Sequence, residues 1–330
     1  MILITGAAGY IGSHTAINFV NNGYDTVIFD NLETGHIETI KTLKQIGNIQ
    51  FEQGDLRNEN DLKRVFDKYE IEAVIHFAAF ALVGESVTNP AKYYRNNVYG
   101  TMNLLDAMIE HNVKKIVFSS TCATYGEPQY TPIDENHPQN PINPYGNSKL
   151  CIEYMLKDYD RAYDLKSIRL RYFNVAGCDE QTRTGEWHEP ETHLIPNILK
   201  STFGENKTFK IFGNDYDTPD GTCIRDYVNV EDLAEAHRLA YLYLKENNTS
   251  NVFNLGTEQG DSVKQVFDVC EKVLGKKIPV ETVERRPGDP AKLYANANKA
   301  KEILKWVPKR SLEKSIETAY KWECKRKEGI

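Results

Sequence analysis

The feature that most constrains this 330-residue chain is a glycine-punctuated turn near its start. The apolar run Ile2–Thr5 leads directly into Gly6-Ala7-Ala8-Gly9-Tyr10-Ile11-Gly12, and a helical pattern over residues 11–22 follows. Glycine lets the backbone approach a pyrophosphate closely, and the first amides of a helix point at the phosphates. A glycine triplet alone has many false positives, but this order of strand, turn and helix is the one that the mechanism requires. The pattern therefore predicts a dinucleotide-binding unit.

Short apolar runs alternate with helical patterns through the first half of the chain. The strand candidates are residues 2–5, 26–30, 49–52, 73–78, 115–119 and 167–172, and the main helix candidates are residues 11–22, 60–69, 91–111 and 148–163. Strands that alternate with helices in this way form a parallel sheet covered on both faces. We predict an α/β fold with a doubly wound parallel (Rossmann) sheet in residues 1–175. A second, smaller α/β substrate domain is predicted in residues 176–330, with segments around 227–257 returning to the first domain.

The second strand candidate ends in Asp30-Asn31, and Asp30 lies near the expected distance of about 20 residues past the glycine turn. An acid at this place binds the ribose hydroxyls, and its charge repels a 2′-phosphate. We therefore expect NAD rather than NADP; a plain turn aspartate at a strand end is the other interpretation. Asp55-Leu56 and Phe77-Ala78-Ala79 follow the next two strand candidates, and their position favours contact with the adenine and with the rest of the cofactor.

Tyr145 and Lys149 stand four residues apart in Asn143-Pro144-Tyr145-Gly146-Asn147-Ser148-Lys149. Residues at this spacing share a helix face, so the ammonium can lie beside the phenol and lower its pKa from about 10 towards neutral pH. The spacing recurs at Tyr241 and Lys245, which we interpret as a core tyrosine and a solvated lysine. Context separates the two pairs, because Asn143-Pro144 ends an irregular segment and places the first pair in an initial helical turn. The pattern predicts a phenol that transfers protons.

Charge and composition argue against several functions. A net charge of −7 provides no basic surface for a nucleic acid or an anionic membrane. No secretory signal or apolar run of about 18 residues is visible, so we expect a cytoplasmic protein. The six cysteines are scattered without a Cys-x-x-Cys motif, which indicates reduced thiols. His188 and His193 come closest to a metal-binding pair, without a third ligand nearby, and we expect no metal.

Further motifs occur in register along essentially the whole chain. They are Val83-Gly84-Glu85-Ser86, Tyr94-Arg95-Asn96-Asn97, Ser119-Ser120-Thr121, Tyr125-Gly126, Arg171-Tyr172-Phe173-Asn174, Ile211-Phe212-Gly213-Asn214-Asp215-Tyr216, Gly221-Thr222, Arg225-Asp226-Tyr227 and Arg286-Pro287-Gly288-Asp289. Together with the glycine turn and the Tyr145/Lys149 pair, this set resembles the extended short-chain dehydrogenase/reductase family. Within that family it is most similar to members that invert carbon 4 of UDP-hexoses.

The resemblance implies an NAD-dependent isomerase that interconverts UDP-glucose and UDP-galactose through a transient 4-keto sugar. It implies that Tyr145 is the acid/base at the sugar 4-hydroxyl, that Lys149 holds the nicotinamide ribose and lowers the tyrosine pKa, and that Thr121 replaces the family's hydroxyl residue. The expected cofactor contacts are Gly6, Gly9, Tyr10, Ile11, Gly12, Asp30, Asn31, Asp55, Leu56, Phe77, Ala78, Ala79, Asn96, Ser119, Tyr145, Lys149, Tyr172 and Phe173. The expected substrate contacts are Thr121, Tyr145, Asn174, His193, Leu194, Lys210, Phe212, Arg225, Arg286, Asp289 and Leu293, with Phe212 against the uracil.

Three positions depart from the family pattern. Ala81 stands where many members carry a lysine that contacts the cofactor, which bears on how tightly NAD is retained. His193-Leu194 occupies a stretch where some relatives have paired asparagines. Leu293 aligns with a position that is a bulky tyrosine in members restricted to plain hexoses and small in those that accept N-acetylated ones. Leucine is intermediate, so acceptance of N-acetylated sugars stays open.

Other functions are compatible with parts of the pattern. An epimerase for UDP-N-acetylglucosamine or UDP-glucuronate shares the same motifs. A 4,6-dehydratase is disfavoured, because its relatives carry an Asp-Glu pair where Cys122-Ala123 follows Thr121. A redox-sensing NAD-binding regulator would not require Tyr145 or Lys149. The resemblance also implies a homodimer formed through the helices near residues 91–111 and 148–163.

Overall fold

The computed structural model describes residues 1–204, 208–285 and 289–329. Its strands are β1 (Ile2–Thr5), β2 (Thr26–Asp30), β3 (Ile49–Gln53), β4 (Ala73–His76), β5 (Lys115–Thr121), β6 (Lys166–Tyr172), β7 (Asn174–Ala176), β8 (Phe209–Phe212), β9 (Ile224–Arg225), β10 (Tyr227–Asn229), β11 (Asn251–Leu255), β12 (Asp261–Ser262), β13 (Val280–Val283) and β14 (Lys292–Leu293). Its α-helices are α1 (Tyr10–Asn21), α2 (Ile37–Lys44), α3 (Glu59–Lys68), α4 (Val83–Thr88), α5 (Pro90–Tyr93), α6 (Gly100–Glu110), α7 (Pro144–Tyr163), α8 (Leu194–Thr202), α9 (Val230–Asn247), α10 (Val263–Leu274) and α11 (Leu312–Glu328).

A seven-stranded sheet in the order β11-β6-β5-β4-β1-β2-β3 forms the centre of the fold. Every neighbouring pair in this sheet is parallel. The predicted doubly wound parallel sheet is therefore confirmed. The strand order reverses at β1, which lies between β2 and β4, and in such sheets ligands bind outside the carboxyl ends of the strands at this switch point.

Two buried clusters cover the two faces of this sheet, because successive side chains of a strand point to opposite sides. Ile2 and Ile4 of β1 belong to the cluster that includes residues of α1, α2 and α9. Leu3, between them, belongs to the cluster that includes residues of α3, α6 and α7. The near-continuous apolar runs of the sequence are explained by burial on both faces.

Smaller sheets and helices pack beside this centre. β7 pairs with β10, β8 pairs with β13, and β9 lies between β12 and β14. Helices α8, α10 and α11 contribute to a third buried cluster with β8 and β10. β11 joins the central sheet although it follows several of these strands in the chain. The division of the chain at residue 175 stays a prediction.

Some predicted helices have different bounds. The run predicted over residues 91–111 consists of α5, a π-helical turn at Tyr94–Tyr99 and α6. The helix predicted to begin near residue 148 begins at Pro144, because the Asn143 side chain caps it by accepting a hydrogen bond from the Gly146 amide. Among the described residues, no helix is both long and apolar enough to traverse a membrane.

Candidate active site

A cavity of about 360 Å³ lies at the carboxyl ends of the central strands. It is lined by most of the residues that the sequence predicted: Gly6, Gly9, Tyr10, Ile11, Gly12, Asp30, Asn31, Asp55, Leu56, Phe77, Ala78, Ala79, Asn96, Thr121, Tyr145, Lys149, Tyr172, Phe173, Asn174 and His193. The predicted cofactor contact Ser119 does not line the cavity, but its carbonyl accepts a hydrogen bond from Lys149, which does. The fold thus brings residues from distant parts of the chain around one space.

The glycine turn between β1 and α1 forms one end of this cavity. Gly6 has a φ of +76°, and a Cβ there would lie 2.6 Å from the Ala78 nitrogen. A Cβ on Gly12 would lie 2.5 Å from the Gly6 carbonyl oxygen. Helix α1 starts after Gly9 without a side-chain cap, so its first amides are available to an anionic group. Only glycine permits this close approach of backbone to backbone.

Asp30 ends β2 beside the glycine turn. Its carboxylate accepts hydrogen bonds from the Ala8 amide at 3.0 Å and from the Leu32 amide at 2.8 Å. Burial raises the pKa of Asp30, and the two backbone hydrogen bonds oppose that rise. Asn31 donates to Asp55 at 2.9 Å, and the neighbouring Arg57 guanidinium lowers the pKa of Asp55 to about 2. The structure therefore places two carboxylates at the end of the cavity predicted for the adenosine.

Tyr145 and Lys149 lie in the first turns of α7 and line the cavity together. Lys149 is 4 % exposed, donates a hydrogen bond to the Ser119 carbonyl at 2.9 Å, and has its ammonium 4.9 Å from the centre of the Phe118 ring. Burial lowers the pKa of Lys149 to about 7. A buried lysine with so few partners is poised to hold polar groups of a ligand.

The pKa of Tyr145 differs from the sequence expectation. Burial raises it well above its usual value, and the nearby Tyr172 adds to the rise, whereas a hydrogen bond with the Thr121 hydroxyl lowers it. The expected lowering is wrong for the protein alone, since the Lys149 ammonium, itself desolvated, donates to Ser119. Thr121 also accepts from the Ala123 amide at 3.2 Å, which fixes its hydroxyl beside the phenol.

The predicted substrate residues are brought together in part. Asn174 and His193 line the cavity, and Leu194 follows as the first residue of α8. Leu293 pairs with Arg225 across β9 and β14, and the Arg225 guanidinium lies 3.1 Å from Asp289. Leu293 of β14 and Cys122, which lines the cavity, pack against the same small buried cluster.

The other predicted substrate residues lie on β8 or beyond the described ranges. Phe212 ends β8 and is half-buried, next to a wide second cavity of about 840 Å³ lined by Gly213, Asp215 and Arg285 among others. Lys210 lies on the same strand with its ammonium 3.1 Å from Glu281, and 56 % of its side chain is exposed. The structure does not connect Lys210 to the first cavity. Arg286 lies outside the described residues.

Several residues around the cavity were missed from sequence. Cys122 and Ala123 form a short 3₁₀ turn directly after Thr121 and line the cavity. Gly146 allows this turn to approach α7, since a Cβ there would lie 2.6 Å from the Ala123 carbonyl oxygen. Asn97 donates to Ser148 at 3.0 Å and accepts from the Phe80 amide at 2.9 Å, so it fixes α7 against the cavity wall. The glycine that directly follows Tyr145 is the sequence signal that could have indicated the close contact between α7 and the Cys122–Ala123 turn.

The expectation that His188 and His193 lack a third potential ligand is wrong. Glu186 and Glu191 lie in the same cluster, and the potential ligand atoms of the four side chains all lie within 4.8 Å of one another. Each of the six cysteines is a free thiol.

The chain is similar to several known proteins over nearly its whole length. Residues 3–319 match the protein family described as GDP-mannose 4,6 dehydratase. The UDP-glucose 4-epimerase of Halalkalibacterium halodurans is 50% identical over 329 residues, which cover 99% of this chain and 97% of that protein. The crystal structure of UDP-glucose 4-epimerase from Brucella ovis in complex with NAD has a TM-score of 0.93 and 46% identity, and covers 97% of both chains. The Bifidobacterium longum UDP-glucose 4-epimerase in complex with NAD+ and UDP has a TM-score of 0.93 and 40% identity, and covers 100% of this chain and 99% of that one.

Proposed function

Since the chain belongs to the UDP-glucose 4-epimerases of the extended short-chain dehydrogenase/reductase family, we propose that it interconverts UDP-glucose and UDP-galactose with bound NAD. The observation that carries this proposal is the placement of Tyr145, Thr121 and Lys149 around one cavity that also contains the glycine turn. Reversible oxidation of a secondary alcohol requires a group that transfers the hydroxyl proton next to a bound dinucleotide, and a phenol beside the glycine turn meets this requirement.

The residues of the cavity fit NAD. Gly6 and Gly12 leave room for a pyrophosphate where any side chain would collide with the backbone. Asp30 offers a carboxylate for the adenine ribose and disfavours a 2′-phosphate, while the buried Lys149 faces the end assigned to the nicotinamide ribose. NAD bound here would supply an acceptor and donor of hydride for carbon 4 of the sugar, and the positive charge of its oxidised form would favour the Tyr145 phenolate.

The residues of the chain handle the proton in this reaction. Tyr145, as the phenolate, takes the proton of the 4-hydroxyl while the carbon-bound hydrogen leaves as hydride, so that the alcohol becomes a ketone. Thr121 holds the sugar oxygen by a hydrogen bond, since its hydroxyl already contacts the phenol. After the 4-keto sugar turns about its bond to the diphosphate, Tyr145 returns the proton as the hydride adds to the opposite face. The cycle leaves no net oxidation or reduction.

Firm binding of UDP and loose binding of the sugar are needed for that rotation. Arg225 is placed by β9 with Asp289 and Leu293 nearby, which supports a role at the diphosphate end. A guanidinium suits this role because its planar fork makes paired hydrogen bonds to phosphate oxygens. We assign Asn174 and His193 to the same end because they line the cavity, and Phe212 to the uracil.

The experiment that tests the function uses purified protein without added NAD. Incubation with UDP-galactose is expected to yield UDP-glucose, and the reverse incubation UDP-galactose, until both reactions reach the same product ratio. A parallel incubation with UDP-N-acetylgalactosamine tests whether Leu293 leaves room for the acetamido group. A requirement for stoichiometric added NAD, or the absence of product in both directions, contradicts the proposal.

A 4,6-dehydratase is the second candidate because the matching family carries that description. Elimination of water needs additional acid/base groups beyond the phenol. Thr121 is followed here by Cys122, whose pKa burial raises to about 12, and by Ala123. Neither provides a carboxylate, and epimerisation is therefore favoured. Formation of a 4-keto-6-deoxy sugar from UDP-glucose reverses this choice.

We also propose that the chain forms a homodimer through α4–α7. Large apolar side chains are exposed along these elements, among them Val87 at 62%, Tyr154 at 52%, Tyr94 at 41% and Met102 at 39%. Exposed apolar side chains concentrated on one set of helices are typical of a subunit interface. Sedimentation at micromolar concentration is expected to give twice the mass of the chain, and replacement of Tyr154 by Asp is expected to shift it to the monomer.

A further inference from the structure

Four side chains in the segment that leads into α8 converge on one point. Glu186, His188, Glu191 and His193 each offer one ligand atom, and these atoms all lie within 4.8 Å of one another. The Nδ1 atoms of both histidines face the same oxygen of Glu186, at 3.2 Å for His188 and in closer contact for His193. Each Nδ1 also lies 3.8 Å from a carboxylate oxygen of Glu191. We propose that these four residues bind one divalent transition-metal ion of the Zn²⁺ type.

The distances suit a small tetrahedral ion. A zinc ion with bonds of about 2.0–2.1 Å holds neighbouring ligand atoms about 3.3 Å apart. Three of the four separations between imidazole nitrogens and carboxylate oxygens, 3.2 Å once and 3.8 Å twice, lie on either side of this value. His193 and Glu186 are in closer contact, so these two side chains have to move apart to admit an ion. Two imidazoles with two carboxylates form a donor set that Zn²⁺ accepts, whereas Mg²⁺ and Ca²⁺ prefer oxygen atoms alone.

Hydrogen bonding within the cluster is the alternative, since a neutral imidazole Nδ1–H can donate to a carboxylate. The side chains of Glu186 and Glu191 are only 6% and 3% exposed, whereas those of His188 and His193 are 31% and 53% exposed, so an ion reaches the two buried carboxylates from the histidine side. A metal ion bound there compensates the charge of both carboxylates.

The surrounding structure holds the ligands in place. The Glu186 carbonyl accepts a hydrogen bond from the Trp322 indole at 2.8 Å, and a Cβ on Gly185 would collide with that indole at 2.4 Å. One oxygen of Glu191 accepts from the amides of Thr192 and His193 at 2.8 and 2.9 Å, while the other faces His188. Such supporting hydrogen bonds orient metal ligands and raise affinity.

The site adjoins the cofactor cavity without overlapping the proton-transfer pair. His188 and His193 line the cavity, and the ring of His188 lies edge-on to Tyr10, the first residue of α1, at 6.2 Å between ring centres. A bound ion would join the start of α8 to the glycine turn. The ion is therefore assigned a positioning role, which goes beyond the proposed epimerase function. Because His193 is also assigned to the diphosphate end of the substrate site, Zn²⁺ binding is measured in the absence of UDP-sugar.

The test uses the full chain, stripped with a chelator, dialysed and titrated with Zn²⁺ at neutral pH. We expect one Zn²⁺ per chain by elemental analysis, a higher Tm with Zn²⁺ than without, and visible d–d bands of tetrahedral Co²⁺ when Co²⁺ replaces Zn²⁺. His188→Ala and Glu191→Gln are expected to raise the Zn²⁺ dissociation constant by more than the ~10–100-fold typical of lost supporting contacts. The matched control is His111→Ala, since His111 also contacts a carboxylate, Asp67, at 2.9 Å but near the surface.

The outcomes separate a metal site from an ion-pair cluster. Binding of Zn²⁺ by the wild type and the His111→Ala variant, but not by the cluster variants, supports the site. Stripped wild type that binds no stoichiometric Zn²⁺ and shows no change in Tm overturns it, as does equal binding by all variants or equal binding of Mg²⁺. If His188→Ala fails to fold by circular dichroism, His193→Gln and the Co²⁺ spectrum of the wild type decide.

Discussion

Two tyrosine–lysine pairs with the same four-residue spacing occupy different surroundings in this molecule. Tyr145 and Lys149 both border the cofactor cavity, and burial lowers the pKa of Lys149 to about 7. Tyr241 packs in the core cluster, whereas Lys245 is half exposed and its pKa is raised by hydrogen bonds to Glu72 and Tyr241. The spacing brings the two side chains of each pair together, but the cavity and the desolvation decide which pair can do chemistry.

The largest difference is expected from removing each phenol. Tyr145→Phe should retain the fold and lower turnover of UDP-galactose by at least ~10²–10⁴-fold, the usual effect of lost acid/base catalysis. Tyr241→Phe should turn over like the wild type and lose about 1 kcal/mol of unfolding free energy, the net value of a hydrogen bond. Initial rates and denaturant melts measure both. Equal rates for the two variants would remove the distinction between the pairs.

The lysines are expected to differ in how stability depends on pH. The folded-state pKa of Lys149 is depressed to about 7, so the unfolded chain binds more protons between pH 7 and 10.5, and stability rises across this window. Lys149→Met should therefore be more stable than the wild type near pH 7, by up to roughly 4 kcal/mol, with the advantage shrinking towards pH 10.5. Urea melts at several pH values measure this. A constant difference would contradict the lowered pKa.

For the matched variant Lys245→Met, the difference in unfolding free energy from the wild type should have the opposite sign at neutral pH. The pKa of Lys245 is raised, so the contribution of its ion pair is present at neutral pH and is lost only as pH rises through that raised value. At neutral pH the variant should be slightly less stable than the wild type.

The next largest effect on turnover is expected at Thr121, which contacts Tyr145 of the first pair. Thr121→Val removes the hydroxyl that contacts Tyr145 and should reduce turnover by about 10–100-fold, corresponding to a lost hydrogen bond to a charged group of ~1.5–3 kcal/mol. Thr121→Ser keeps the hydroxyl and should restore most of the activity. Valine and serine variants that are equally slow would contradict this role, because the hydroxyl alone would then not restore turnover.

The smallest effect is expected at Glu72, the carboxylate partner of the second pair. Glu72→Gln removes the ion pair with Lys245, which is 2.9 Å long and exposed on both sides. Exposed pairs contribute less than about 1 kcal/mol, so the free energy of unfolding should change by no more than that and turnover should not change. A loss of activity would show that the second pair is coupled to the site.

The parts that could be predicted from sequence are local. The β1–glycine turn–α1 unit and the placement of Tyr145 in an initial helical turn after Asn143-Pro144 each depend on neighbouring residues, and so they could be predicted. The meeting of Arg225 with Asp289 and Leu293 depends on pairing between β9 and β14, which no local pattern encodes. The cluster of Glu186, His188, Glu191 and His193 was missed because these residues are spaced along an irregular segment with no helical or strand periodicity. The direction of the Tyr145 pKa was missed because spacing does not report burial.

The most direct test of the central claim, reversible removal and return of the carbon 4 hydrogen beside Tyr145, follows deuterium. UDP-galactose labelled with deuterium at carbon 4 is converted by the purified protein in ordinary water without added NAD, and the product is analysed by NMR. If the carbon 4 hydrogen leaves and returns as hydride, the UDP-glucose formed retains the deuterium at carbon 4. Replacement of the deuterium by solvent hydrogen would contradict it, because the hydrogen would then have left as a proton.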